Sequence, residues 1–327
     1  MTETRYRQLG DSGLTVSVVG LGCNNFGHRI DKDQTQQVVD AALDEGITLF
    51  DTADSYGRPR GGSEELLGEA LGARRDDVII ATKFGSSTDG LVGRDWGVRG
   101  SRRYIRRAVE SSLRRLRTDY IDLYQLHRPD PVTPIAETLG TLDDLVREGK
   151  VRYVGCSNFS AWGLADAVWT ARTQGYARFI SVQNNYNLLE REPEADVVPA
   201  CAHYGLGVLP YFPLASGLLS GKYRRGESGP EGSRLRTMAM GRPEHRPSEE
   251  IFDRVEPLET YAEERGLSLL DVAIGGLAAQ PCVASVISGA TRAEQVRTNA
   301  AAGRWEPTAD DLAALDRVAP SGRQENS

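Results

Sequence analysis

Eight short apolar runs, mostly of β-branched residues, recur along this chain, and a longer amphipathic stretch separates each from the next. They lie near 16–20, 48–51, 78–82, 121–126, 151–156, 180–183, 208–211 and 284–287. Strands that are apolar on both faces and joined by helices run parallel, because the crossover needs a dozen or more residues and covers the sheet. The helices have ends that can be named. Thr133 serves as an N-cap before Pro134, with Ile135, Leu139, Leu142 and Val146 at helical spacing and Gly149 as the stop. Another helix runs from near Asp33 to Gly46. Eight βα units in 327 residues fit an α/β protein of the (β/α)8 TIM barrel type, since closure removes the edge strands that an open sheet leaves exposed. An open doubly wound sheet is the alternative, but it wants a G-x-G-x-x-G turn after its first strand. Here Gly20 and Gly22 are followed by Asn25 where the third glycine belongs.

Before the barrel, residues 6–15 read as an N-terminal β-hairpin with Asp11, Ser12 and Gly13 in the turn, placed as a lid over the barrel bottom. Two long loops, 85–100 and 214–247, follow strands and so belong to the C-terminal face, where barrels carry their chemistry. The expected organisation is one barrel domain over 1–319 and a disordered tail over 320–327. A net charge of −7 gives no electrostatic reason for a nucleic-acid or anionic-membrane partner. The arginines of 101–117 are interleaved with Ile105, Val109, Leu113 and Leu116 at helical spacing, which puts most of them on a solvated face. Cys23, Cys156, Cys201 and Cys282 form no close pair, and His28, His127, His203 and His245 are scattered, so neither a disulfide framework nor a metal site is expected. With no apolar leader and no apolar run of about 18 residues, the expectation is a cytoplasmic protein. The sequence leaves its oligomeric state open.

Residues at the C-terminal ends of barrel strands share one mouth. Here they are Asp51 and, five residues on, Tyr56, then Lys83, His127, Ser157, Asn158, Gln183 and Tyr211. Each has a bland explanation alone: Asp51 as a helix cap, Lys83 at the surface, His127 as a satisfied core histidine, Tyr211 as packing. Together, an Asp, a Tyr, a Lys and a His suit a phenol that donates a proton. Tyrosine is a weak acid of pKa about 10, a nearby ammonium lowers that value, and a carboxylate fixes the ammonium in place.

These residues sit in strings that resemble the aldo-keto reductase family over nearly the whole chain: FDTADSYG at 50–57, ATKF at 81–84, DYIDLYQLH at 119–127, GKVRYVGCSN at 149–158 and PYFPLASGLLSGKY at 210–223. The likeness is to the branch of bacterial reductases and potassium-channel β-subunits. It implies an NADP-dependent carbonyl reductase that binds NADPH without a Rossmann fold and acts on a small-molecule carbonyl substrate. Tyr56 would then be the general acid, Lys83 and Asp51 its tuning pair, and His127 the donor to the carbonyl oxygen. Asn24 and Asp51 would join the cofactor site; Ser157, Asn158 and Gln183 would hold the nicotinamide carboxamide; Tyr211 would stack on its ring. The seventh loop would meet the phosphates through Leu214, Ser216, Gly217, Leu218, Lys222 and Arg234. GATRAEQVRTN at 289–299 would hold the adenosine end through Gly289, Thr291, Gln295 and Asn299. The better-known members carry an arginine where Gln295 stands, a role that falls to Arg292 or Arg297 here. Trp96, Asn24, Phe26 and Arg128 are candidates for the substrate wall.

Three other readings compete. A lysine at a barrel strand end suggests a Schiff-base aldolase using Lys83. A glycosidase needs two carboxylates across the mouth, whereas Asp51 and Asp54 share one loop. The channel-subunit likeness suggests a redox-sensing regulatory subunit with weak reductase activity.

Overall fold

A computed structural model describes residues 4–227, 229–239 and 247–321. The hairpin is β1 (Tyr6–Gln8) paired antiparallel with β2 (Thr15–Ser17). Eight parallel strands follow: β3 (Val19–Gly22), β4 (Leu49–Asp51), β5 (Ile79–Phe84), β6 (Ile121–Leu126), β7 (Val151–Ser157), β8 (Phe179–Gln183), β9 (Gly207–Val208) and β10 (Val286–Gly289). They pair in the order β10-β3-β4-β5-β6-β7-β8-β9. Parallel bridges Val208 to Val283 and Tyr211 to Ile287 join the two ends, so the sheet closes into the barrel and the open-sheet alternative falls.

The run read as one strand at 16–20 is two. It straddles the end of β2 and the start of β3, because Val18 turns the chain from the hairpin into the wall while keeping every side chain buried. Between the strands lie α1 (Lys32–Asp44), α2 (Gly62–Leu71), α3 (Arg102–Leu116), α4 (Ile135–Arg147), α5 (Ala161–Gln174) and α6 (Val197–Tyr204). The long β9 to β10 connection carries α7 (Arg234–Ala239), α8 (Glu249–Glu263) and α9 (Leu269–Ala278), and α10 (Ala293–Ala302) and α11 (Ala309–Val318) follow β10. Helix α1 starts in a capping box between Asp31 and Gln34. Thr133 is not the cap of α4. The helix begins at Ile135 after Pro134, and Thr133 Oγ1 donates instead to Asp130 Oδ2 at 2.7 Å, in a turn that Asp130 organises.

The barrel interior is filled from below. Leu9, Leu14 and Val16 of the hairpin pack against Leu49, Ala81, Leu123, Ile180, Leu209 and Ala284, which makes the hairpin a plug for the N-terminal face. Gly10 permits this closeness: it takes φ +58°, and a Cβ there would meet the Ile180 carbonyl oxygen at 2.5 Å. A larger apolar cluster fills the space between strands and helices, and a smaller one lies under α8, α9 and α11. No helix among the described residues is long and apolar enough to cross a membrane.

Candidate active site

Alternation along the strands lifts the site above the core. Leu49, Ala81 and Leu123 point inward at the bottom of β4, β5 and β6, so Asp51, Lys83 and Gln125, each two residues further on, form the layer at the top. In that layer Lys83 Nζ donates to Asp51 Oδ2 at 2.6 Å and to the Thr52 carbonyl oxygen at 2.8 Å. The other carboxylate oxygen accepts from Gln183 Nε2 at 2.8 Å and from Gln125 Nε2 at 3.3 Å. Lys83 is 0% exposed and Asp51 3%, so neither is a surface residue or a helix cap. Removing either partner of such a pair leaves a buried charge uncompensated, which typically costs about 3–5 kcal/mol.

Tyr56 lies against this pair. Lys83 Nζ is 5.1 Å from the centroid of its ring, and the His127 ring meets it edge-on at 5.7 Å and 82°. Burial pushes the phenol up from its usual value, and Lys83 only partly offsets that push. The expected net lowering by the ammonium is therefore not seen, because desolvation wins. Burial acts to lower Lys83, but Asp51 and Tyr56 more than compensate and hold its ammonium above the usual range. At neutral pH the arrangement is a neutral phenol beside a charged lysine. Burial, then Lys83 and Arg128, pull His127 down to about 3, so its ring is neutral. Among the described residues its buried Nδ1 has no hydrogen-bond partner, which is not the satisfied core histidine of the bland alternative.

Next to this centre the polar side chains are locked. Ser157 Oγ donates to the Gln183 carbonyl oxygen at 2.7 Å. Asn158, at φ +61°, donates from Nδ2 to the His127 carbonyl oxygen at 2.9 Å and accepts at Oδ1 from the Tyr211 hydroxyl at 2.7 Å. A small residue makes room for the layer: a Cβ on Gly155 would meet Ser181 Oγ at 2.7 Å.

From Tyr56 and His127 a cavity of about 920 Å³ runs across the C-terminal face. Asn24, Asp51, Ser157, Asn158, Gln183, Tyr211, Leu214, Ser216, Gly217 and Lys222 line it, and so do Gly289, Thr291, Arg292, Gln295 and Asn299. Lys83 lies behind the lining and reaches the cavity only through its partners. Leu218 is not brought to it, for its side chain is buried in the cluster under α8 and α9. Arg234 begins α7, but its side chain is outside the described residues. Arg297 is absent from the lining.

The far end of the cavity is cationic. Burial, then Arg29 and Arg292, pull Lys222 below its usual value, so these charges are near one another. Among the described residues none of the three has a carboxylate within ion-pair distance. Arg29 was missed by inspection of the sequence, although it sits in the loop after β3 at the same face; its guanidinium donates to the Gly232 carbonyl oxygen at 3.0 Å, across the cavity. Gln295 is already engaged, its Oε1 accepting from Thr291 N at 2.8 Å and Thr291 Oγ1 at 3.1 Å. Backbone in the left-handed region at Ala215, Ser216 and Gly217 bends the seventh loop around this end. Such strain in non-glycine residues gathers at ligand sites, where the surroundings over-determine it. Among the described residues no group of His, Cys, Asp and Glu is placed to hold a metal ion.

Comparison with known proteins agrees with this architecture. Residues 18–320 match the model of the Aldo/keto reductase family. The chain is 37% identical over 298 residues to an uncharacterized oxidoreductase, YrpG, of Bacillus subtilis, covering 89% of each. It is 35% identical over 301 residues to a probable voltage-gated potassium channel subunit beta of Arabidopsis thaliana, covering 90% of each. It is 35% identical over 306 residues to an L-glyceraldehyde 3-phosphate reductase of Escherichia coli K12, covering 91% of this chain and 87% of that protein. A closed βα barrel with this match over most of its length belongs to the aldo/keto reductase family of oxidoreductases.

Proposed function

We propose that this chain reduces aldehydes or ketones to alcohols with NADPH, and that Tyr56 is the general acid. The observation that carries the proposal is the neutral Tyr56 phenol held beside the Lys83 ammonium at one end of a cavity whose other end gathers Arg29, Lys222 and Arg292. That donor set fits a dinucleotide: locked amide and hydroxyl groups for a carboxamide at Ser157, Asn158 and Gln183, an aromatic face at Tyr211, and cations that have no carboxylate partner among the described residues for phosphates. With Gln295 engaged as a loop brace and Arg297 absent from the lining, Arg292 is the cation that the segment after β10 offers a 2′-phosphate.

When bound, the nicotinamide supplies a hydride to the carbonyl carbon. The residues of this chain do the rest. Tyr56 passes its hydroxyl proton to the carbonyl oxygen, and the phenolate left behind is stabilised by Lys83, which Asp51 holds in place. The neutral His127 ring donates an N–H to the same oxygen, so charge developing there meets two fixed donors.

An aldolase is disfavoured because a Schiff-base lysine must reach its substrate unprotonated, whereas Lys83 is enclosed, ion-paired and held in its charged form. For a glycosidase, Asp51 is tied to Lys83 and Asp54 does not line the cavity. A redox-sensing subunit draws on the likeness to probable potassium channel subunits, and the complete set of side chains around Tyr56 argues for turnover by the chain alone. The test is the purified protein with a panel of aldehydes and ketones, read by NADPH absorbance loss. Carbonyl-dependent oxidation of NADPH is expected; none with any compound would remove the proposal.

A further inference from the structure

Arg128 follows His127 directly and lines the cavity together with Tyr56, His127, Tyr211 and Phe212. The residue before it is held through both of its main-chain groups. His127 N donates to the Phe84 carbonyl oxygen at 2.8 Å, and the His127 carbonyl oxygen accepts from Asn158. The guanidinium is exposed at this mouth and has no ion pair or hydrogen bond among the described residues.

Two other arginines of the loops after β4 and β5 are neutralised. Arg60 pairs with Asp89 at 3.0 Å and Arg99 with Asp95 at 2.7 Å. The carboxylate closest in sequence to Arg128 is spent elsewhere: Asp130 accepts from Gly100 N at 2.6 Å, Val132 N at 2.9 Å and Thr133 Oγ1 at 2.7 Å. Although the chain has an acidic excess, Arg128 lines the cavity beside His127 without a carboxylate partner among the described residues. Its charge is felt there: Arg128 adds to the burial and the Lys83 charge that lower His127, and partly offsets the burial that raises Tyr211.

We propose that Arg128 selects carbonyl substrates bearing a carboxylate or phosphate, holding that anion at the mouth while the carbonyl oxygen meets Tyr56 and His127. A planar guanidinium fork matches either anion with paired hydrogen bonds, and a charge-assisted contact of this kind discriminates strongly against an uncharged analogue. This rests on the carbonyl-reduction reading above. It adds to that reading a substrate class: short aldehydes or ketones with an acidic group at the far end.

The experiment uses matched pairs with the full chain and NADPH: glyceraldehyde 3-phosphate against glyceraldehyde, and succinic semialdehyde against butanal. The wild-type protein is expected to prefer the charged member in kcat/KM, and the pair with the larger preference identifies the anion. In Arg128→Met that ratio falls about tenfold or more, with the loss carried by KM, and Arg128→Lys lies between. A ratio equal in wild type and Arg128→Met, or a loss matched by weaker NADPH binding in a fluorescence titration, overturns the proposal. Should no carbonyl compound be reduced, the underlying reading has failed and a second measurement decides this one. Succinate or inorganic phosphate should raise the melting midpoint of the NADP+-loaded wild type and not of NADP+-loaded Arg128→Met. The same response, or none, in both proteins overturns it.

Discussion

Asp54, two residues before Tyr56, is 0% exposed, and neither of its carboxylate oxygens has a hydrogen-bond partner among the described residues. Burial, then the neighbouring Glu64, push its carboxyl well above the usual range, and Arg115 and Lys83 only partly relieve this. The sign of the linkage follows. A carboxyl whose pKa is raised on folding contributes stability below its ordinary value of about 3.9, and loses it as pH rises toward the raised value. Asp54→Asn keeps the shape and removes the ionisable group. It is expected to melt higher than wild type near about pH 7.5, by about 2–4 °C for each kcal/mol recovered, with the gap closing near about pH 4. A lower midpoint at the higher pH would mean that the carboxylate is matched after all. This strain was invisible in the sequence, where Asp54 entered only as a carboxylate sharing a loop with Asp51. Its burial depends on α3, which brings Arg115 inward to pair with Glu64 at 2.6 Å while most of its other arginines face solvent.

At the scale of elements, strand ends were the most legible part of the site. Period-two alternation and the barrel rule together bring Asp51, Lys83, His127, Ser157, Asn158, Gln183 and Tyr211 to one face, and the structure places them there. Loop conformation was less legible. Nothing local in the seventh loop says that Leu218 turns into the core while Ser216 and Gly217 face the cavity; packing against α8 and α9 decides it. Arg29 was hidden because the loop after β3 lacks a glycine-rich turn to mark it, and its partner carbonyl at Gly232 is 203 positions away. The start of α4 eluded inspection because Asp130 outcompetes the helix for the Thr133 hydroxyl. The segment after β10 gives a prediction at this scale. On the proposed NADPH reading, with Gln295 bracing Thr291, the 2′-phosphate would be met by Arg292, so Arg292→Ala should weaken NADPH about tenfold while changing NADH within about twofold. Equal losses in fluorescence titrations of the two cofactors would move Arg292 to phosphates that both cofactors share.

The molecule as a whole separates its stability from its chemistry along the barrel axis. At the N-terminal face Asp122, 2% exposed, accepts from Arg75 at 2.8 Å, from the Ile80 amide at 3.0 Å and from Arg152 at 3.2 Å. The two guanidiniums also lie against the Tyr120 ring, 4.2 Å and 3.7 Å from its centroid. Asp122→Ala strands buried charge and should cost about 3–5 kcal/mol in denaturant unfolding, while kcat/KM at permissive temperature stays within about twofold. A fall in kcat/KM without loss of stability would show that the two ends are coupled. At the opposite face the account depends on one assembly: a phenol from the loop after β4, an ammonium from β5 and an imidazole after β6, set beside the cavity proposed to take a dinucleotide. Its most direct test is Tyr56→Phe, examined by NADPH titration and by single-turnover reduction of the best carbonyl substrate. NADPH affinity within about threefold of wild type, with hydride transfer slowed about 10²–10⁴-fold, is the predicted result. Single-turnover rates near those of wild type would contradict the assignment of Tyr56 as proton donor.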